Sequence, residues 1–254
     1  NAEYLWKNMR GEGGELLRYR FEGKSELNAT QQDYAFLGNA FVSLYDAGGG
    51  DQFLTAAEEI SKGMDALFFD QQAGDYYFTT DEVEFSRPKL KTDVTLPSGN
   101  AAAMELFARL ARRSLKPEYG QRAEMLAANL SGLTVQMPAS TPYSLYAADV
   151  LRNGEGGPLQ YLGKGMVKAA VVRQEKDKLV VRLNIAKGWH VNAHEVKNDA
   201  FIPTTISVGT RSSSLPAKIS YPDYKMVKLG IAQEELALYE GDVEIAIGPS
   251  SNGK

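Results

Sequence analysis

Two carboxylates with basic and hydroxyl residues at short range are the first chemistry the sequence offers. Asp93 opens the run DVTLPSGNAAAMEL, with Arg87-Pro88-Lys89 just upstream and Pro97-Ser98-Gly99-Asn100 just downstream, and Asp33 stands beside Tyr34 in QQDYAFL. A pair of carboxyl groups facing one cavity can act as acid and base on a glycosidic or hemiacetal oxygen. Arg87 and Lys89 would orient an anionic or hydroxylated ligand, and Tyr34 would offer a stacking face. A structural reading stands beside each role. Asp33 is also what a helix dipole favours in a first turn, and Asp93 can hold its own loop by an Asx turn. Ser98 or Asn100 ahead of an alanine run is a good N-cap, and a capped first turn still presents free amides to a ligand. Gly99 permits a tight approach.

The elements that must position these residues differ between the two halves. From residue 1 to about 152 the apolar period is helical: Tyr34, Leu37, Phe41 and Leu44 recur at three and four, as do Phe53, Ala57, Ile60, Met64 and Leu67. Gly48-Gly49-Gly50 ends the first of these helices and Asp51 is placed to cap the second, giving an antiparallel hairpin. A second hairpin runs from about Ser98 to Arg113 and from Pro117 to Leu130, and a short helix spans Tyr143 to Arg152. Between the hairpins, Asp70 to Thr92 is too long for a plain connection, and Tyr76 to Thr79 reads as a short strand. Asn153 to Pro158 has the composition of a linker. Beyond it the period becomes two. Val181, Leu183 and Ile185 alternate with their neighbours, as do Val243, Ile245 and Ile247, and runs near Val167, Ile202, Ile219, Met226 and Leu236 bring the expectation to about seven strands of an antiparallel β-sandwich. The fold class is multidomain α plus β, with a helical-hairpin domain at 1–155 and a β-sandwich domain at 163–254. Gln174 to Lys178 reads as a solvated hairpin turn.

Composition bounds the partners. The chain has 254 residues, 43% hydrophobic and 24% charged, with a net charge of −4 and a pI near 5.4. That balance gives no general attraction to nucleic acid or to anionic membranes. There is no cysteine, so no disulfide, thiol exchange or thiolate metal site is available. No apolar run approaches the ~20 residues that span a bilayer. The chain begins Asn1-Ala2-Glu3 inside what reads as a helix, which suggests a processed or truncated piece and leaves the compartment, cytoplasm or periplasm, open.

The stretches YLWKNMRGEGGELLRYRFEGKSELNATQQDYAFLGNAFVSLYDA and RPKLKTDVTLPSGNAAAMELFARLA resemble the helical part of the thioredoxin-domain proteins that include the spermatogenesis-associated thioredoxin-like proteins. The resemblance covers about the first 150 residues. It implies part of an (α/α)6 toroid similar to six-hairpin glycosidases and N-acylglucosamine 2-epimerases, preceded in the family by a thioredoxin-like domain and by the first hairpins. It also places DYAFL and the Arg87, Lys89, Asp93, Ser98, Asn100 set near the toroid mouth. The later segments KGWHVNAHEVKNDAFIPTTISV, YPDYKMVKLG and ELALYEGDVEI resemble the N-terminal immunoglobulin-like domain of DsbD-type thiol:disulfide interchange proteins. Those domains use a cysteine pair, so the resemblance implies the fold without thiol transfer, and with it a binding or packing role.

His190 and His194, four apart in GWHVNAHE, would share a face on a helix. In a strand they lie about 13 Å apart on one face, and a third ligand such as Glu195 or Asp199 would need a turn. The expectation is a packed Trp189, a hydrogen-bonded His190 and an exposed His194, with no metal and no cofactor. Two functions remain: a carbohydrate-binding or carbohydrate-modifying toroid with an appended sandwich, or a non-catalytic scaffold that positions a redox domain or recruits a partner. An incomplete toroid leaves apolar helix faces uncovered, so homo-oligomers are expected too.

Overall fold

Helices form where apolar residues recur at three and four, and the helical half of the computed structural model is built on that pattern. Its elements are α1 (Ala2–Asn8), a hairpin of β1 (Leu17–Phe21) and β2 (Lys24–Asn28), α2 (Gln31–Asp46), α3 (Asp51–Phe68), the short pair β3 (Phe69–Asp70) and β4 (Asp75–Tyr76), α4 (Gly99–Arg113), α5 (Pro117–Gln136) and α6 (Pro142–Asn153). The structure describes residues 1–81, 86–175, 178–210, 213–230 and 234–249. Chain contacts divide it into two units, Asn1–Glu155 and Gly156–Lys254.

The helix ends follow from their local residues. Thr30 caps α2 through a reciprocal capping box with Asp33, and Gly48, at φ 87°, turns the chain after α2. Gly50 takes the N-cap position of α3, so Asp51 is its first helical residue and favours the N-terminus through its charge instead of capping it. Ser98 caps α4, and proline opens both α5 and α6. α5 continues to Gln136, six residues past the expected end at Leu130.

α4 packs against α2, α5 and α6. Thirteen of its fifteen residues are buried, which is why it carries small alanines all round instead of one apolar stripe. The approach of α2 depends on Gly38, where a Cβ would stand 2.6 Å from Leu106 Cδ2.

Two local elements differ from the sequence reading. The β1–β2 hairpin interrupts the helical half, closed by Glu22 and Gly23, both at positive φ, with Phe21 facing Lys24 across the turn. Its residues are almost all exposed, so no buried face leaves a period of two to read. The strand expected at Tyr76 to Thr79 ends at Tyr76. Beyond it, Tyr77 N–H donates to Phe68 O and Phe78 N–H to Pro88 O, while Phe78 O accepts from Gln31 N–H, so single bonds to three segments replace a ladder.

The second unit is all-β. Its strands are β5 (Leu159–Leu162), β6 (Val167–Glu175), β7 (Lys178–Ile185), β8 (Val191–Asn192), β9 (Val208–Thr210), β10 (Ser213–Leu215), β11 (Ala217–Ser220), β12 (Lys225–Lys228), β13 (Glu235–Tyr239) and β14 (Asp242–Pro249). They pair antiparallel in the orders β11-β14-β7-β6-β5, β12-β13-β8 and β10-β9. Val243 faces Leu183 and Ile245 faces Val181, and these join Ala237 and Tyr239 of β13 in one hydrophobic cluster. The described residues thus hold ten strands where about seven were expected, because β8, β9 and β10 are too short to show alternation. Ile202 lies outside any strand and is 85% exposed. Ile206 and Val208 pack on the core from the same region. In the expected turn between β6 and β7, Glu175 pairs with Lys178; residues 176 and 177 lie outside the described residues.

Candidate functional site

Asp93 ties together two helix N-termini. Its Oδ1 accepts the Ser98 N–H at 2.7 Å and its Oδ2 the Tyr143 N–H at 2.7 Å. Ser98 Oγ accepts from Ala101 N–H at 3.1 Å and donates to Leu90 O, so of the two cap candidates Ser98 is the cap. Asn100 is buried and pairs with the Tyr76 backbone, accepting its N–H at 2.8 Å and donating to its carbonyl at 3.0 Å, with a further bond to Leu90 O. A Cβ on Gly99 would collide with the Gln31 carboxamide, which donates to Gly99 O. Asp33 accepts from the Thr30 N–H and hydroxyl, both at 2.7 Å, with Arg18 Nε 3.7 Å away. Asp93 lines a 330 Å³ pocket with Leu96, Tyr143 and Tyr146, and Asp33 is not among its walls.

Arg87 and Lys89 bond inward as well. Arg87 donates to Thr79 O and Leu67 O and covers the Tyr77 ring at 4.2 Å. Lys89 Nζ stands 2.6 Å from both Asp70 and Asp75, and Lys91 pairs with the other oxygen of the fully buried Asp75. The Lys89 ammonium beside Asp70, with Tyr77 and the Ala73 N–H, holds the Asp70 carboxyl far below the usual range. Burial opposes the charge on Lys89, but Asp70 and Asp75 outweigh it and raise its pKa. A depressed folded value means that Asp70 stabilises the fold above its unfolded pKa, about 3.9, and loses that contribution as pH falls. The raised value of Lys89 works in the opposite sense, contributing below about 10.4 and fading above its folded pKa. The Tm of the helical unit is therefore expected to drop as pH falls below 4, with a shallower acid limb in Asp70→Asn. Superimposable acid limbs for variant and parent would sink this assignment.

The largest of the described clefts lies elsewhere in the helical unit. It measures about 660 Å³, and its walls include Trp6, Arg10, Gly14, Glu15, Tyr34, Glu59, Gly63, Ala66 and Asp81. A 200 Å³ pocket shares Asn28, Ala29, Thr80 and Asp81 with it and extends to Thr30 and Thr79. Four described segments line the cleft: α1 with its following glycine turn, the chain from Asn28 into the start of α2, the face of α3, and Thr80-Asp81. Arg10 is spent on the protein itself. It lies over Trp6 at 4.2 Å, donates through Nε to Gly14 O at 3.0 Å and reaches Glu59 at 3.4 Å. Tyr34 is 3% exposed. Its Oη accepts the Leu16 N–H at 2.8 Å, and among the described residues its own proton has no acceptor. Burial, with the nearby Glu15 charge adding to it, pushes the Tyr34 hydroxyl pKa up despite the Leu16 bond, so the group stays a donor at neutral pH. Of the residues chosen from sequence, Tyr34 alone lines this cleft. Trp6, Arg10, Glu15 and Glu59 were missed. The glycine-rich run Gly11-Glu12-Gly13-Gly14 flags only the neighbouring Arg10 and Glu15 locally, and nothing in sequence brings in Trp6 or Glu59; in the structure a Cβ on Gly11 would collide with the Glu15 carboxylate.

In the β unit the histidine expectation is reversed. Trp189 is 47% exposed, and His190 Nδ1 comes only within 4.0 Å of Glu240. His194 is the packed one, stacked on Tyr221 at 4.4 Å, edge-on to Tyr224 and 2.5 Å from the Tyr239 hydroxyl through Nδ1. Tyrosines from the chain between β11 and β12 and from β13 make this slot. They are distant in sequence, so GWHVNAHE does not show them.

No protein-family model matches the chain. An uncharacterized protein of Caenorhabditis elegans is 27% identical over 206 residues, which is 76% of this chain and 27% of that protein. The chain thus spans about a quarter of the length of this relative.

Proposed function

We propose that the helical unit binds a small polyhydroxylated ligand, such as a mono- or oligosaccharide, in the cleft between α1, α2 and α3, and that the β unit is an interaction module. The observation that carries the reading is the 660 Å³ cleft itself, which holds an unanswered Tyr34 hydroxyl and several carboxylates on a largely preformed wall. The resemblance of the helical half to part of an (α/α)6 toroid supports it, since such folds gather helix ends and rim loops around a concavity. In the same reading the β unit is a cysteine-free, immunoglobulin-like sandwich whose two sheets share one core cluster, and a thioredoxin-like domain and further hairpins belong to the longer protein.

The cleft is assigned binding, with no reaction routed through Asp33 or Asp93, because both carboxylates are engaged at helix N-termini. The same fact favours the second reading, a non-catalytic scaffold. A monosaccharide panel titrated into the full chain by NMR separates the two. Saturable binding is expected, and Ala66→Trp, which fills the cleft from an exposed helix position, should abolish it while leaving the helical circular dichroism intact. Absence of binding across neutral, acidic and basic sugars would leave the scaffold.

A further inference from the structure

We infer that the ligand of this cleft carries a protonated amine beside its hydroxyls, and that Glu15 is the anion that receives it. The inference rests on the binding reading above and narrows it to a charge class.

Among the described residues, the charges on the walls are Arg10 against Glu15, Glu59 and Asp81. Arg10 and Glu59 answer each other, at 3.4 Å, and the remaining reach of the guanidinium goes to Gly14 O and to the Trp6 face. Asp81 accepts the Thr80 hydroxyl at 3.0 Å. Glu15 is half-buried; its backbone carbonyl accepts the Gly11 N–H, but among the described residues its carboxylate has neither a hydrogen bond nor an ion pair. A carboxylate drawn partly out of water without a partner is unfavourable, and a cation brought into contact with it regains that loss.

The backbone around Glu15 leaves room for such a contact. The carboxylate lies against Gly11 and Gly13, where any side chain would displace it. Tyr34, close enough for the Glu15 charge to raise its pKa, brings a hydroxyl proton to the same wall. An amine on Glu15 with a neighbouring hydroxyl oxygen on Tyr34 satisfies both groups at once. An anionic ligand meets two carboxylates and no free cation among the described walls, so it is disfavoured on charge alone.

The test uses the intact chain and a matched set of sugars: glucose, glucosamine, 6-amino-6-deoxyglucose and glucuronate, followed by NMR titration at pH 6.5. At least one amino sugar is expected to bind about tenfold tighter than glucose, with glucuronate weakest and the preference shrinking as salt is raised. In Glu15→Gln the ratio of amino-sugar to glucose affinity should fall below threefold. Equal or tighter binding of glucose in the parent chain overturns the inference and leaves the binding reading standing. A preference retained in Glu15→Gln removes Glu15 from the role. Binding of none of the four overturns both, and the parent panel decides the charge class even if the variant does not fold.

Discussion

Arg113→Ala is expected to remove about 3–5 kcal/mol of stability from the helical unit, the range for breaking a buried ion pair by deleting one partner. The Arg113 side chain is 2% exposed. Its Nε and Nη2 clamp both oxygens of Asp46, at 2.9 and 2.6 Å, Nη2 also reaches Glu155 at 2.5 Å, and Nη1 donates to Arg109 O. One turn earlier, Arg109 bonds the same Glu155 at 2.7 Å and donates to Asn39 O and Ser43 Oγ. In these bonds two guanidinium groups meet two carboxylates. Deleting Arg113 takes a cation from both Asp46 and Glu155 and leaves the Arg109 carbonyl without its side-chain donor. Arg113→Lys keeps the charge but cannot hold the planar fork, so it should fall between parent and alanine. Urea unfolding of the full chain, with the helical signal at 222 nm as readout, measures this. A loss under about 1 kcal/mol for Arg113→Ala would show that Asp46 and Glu155 do not depend on it.

The same quartet shows what the sequence conceals. Arg109 and Arg113 stand four apart near the end of an alanine-rich helix, where basic residues suit the dipole and ordinarily face water. Their partners Asp46 and Glu155 lie dozens of residues away on either side, so no local pattern marks the two arginines as buried. The helices themselves were legible, because Tyr34, Phe41, Ile60 and Met64 recur at helical spacing and are buried as that spacing requires. A cap at Ser98 or Asn100 was legible for the same local reason, and the structure assigns it to Ser98. The hairpin at Leu17–Asn28 was not, having no buried face, and neither were β8, β9 and β10. At the candidate site Tyr34 could be read from its motif. Trp6, Arg10, Glu15 and Glu59 come from α1, the glycine turn and α3, and only tertiary packing gathers them. For Asp33 and Asp93 the sequence left a catalytic and a structural role side by side, and only the packed chain shows backbone amides bonded to both carboxylates.

Asp93→Ala supplies the sharpest separation of architecture from ligand binding. Each of its oxygens accepts one first-turn amide, Ser98 N–H at the start of α4 and Tyr143 N–H at the start of α6. Both helices therefore direct their positive ends at one carboxylate, and its own N–H donates to Ser140 O at 2.7 Å just before α6. Two charge-assisted bonds at roughly 1.5–3 kcal/mol each, discounted because water reaches the exposed loop around Val94 once the carboxylate is gone, give an expected loss of about 3 kcal/mol. Asp93→Asn keeps one acceptor oxygen and should lose about half as much. Asp33→Ala removes a single capping box and should cost only about 1 kcal/mol. Because Asp93 is not among the walls of the Trp6–Tyr34 cleft, sugar binding by folded Asp93→Asn should match the parent. Unchanged stability with abolished binding would return Asp93 to a ligand site and displace the cleft. Lowered stability with unchanged binding assigns Asp93 to holding α4 and α6 in register.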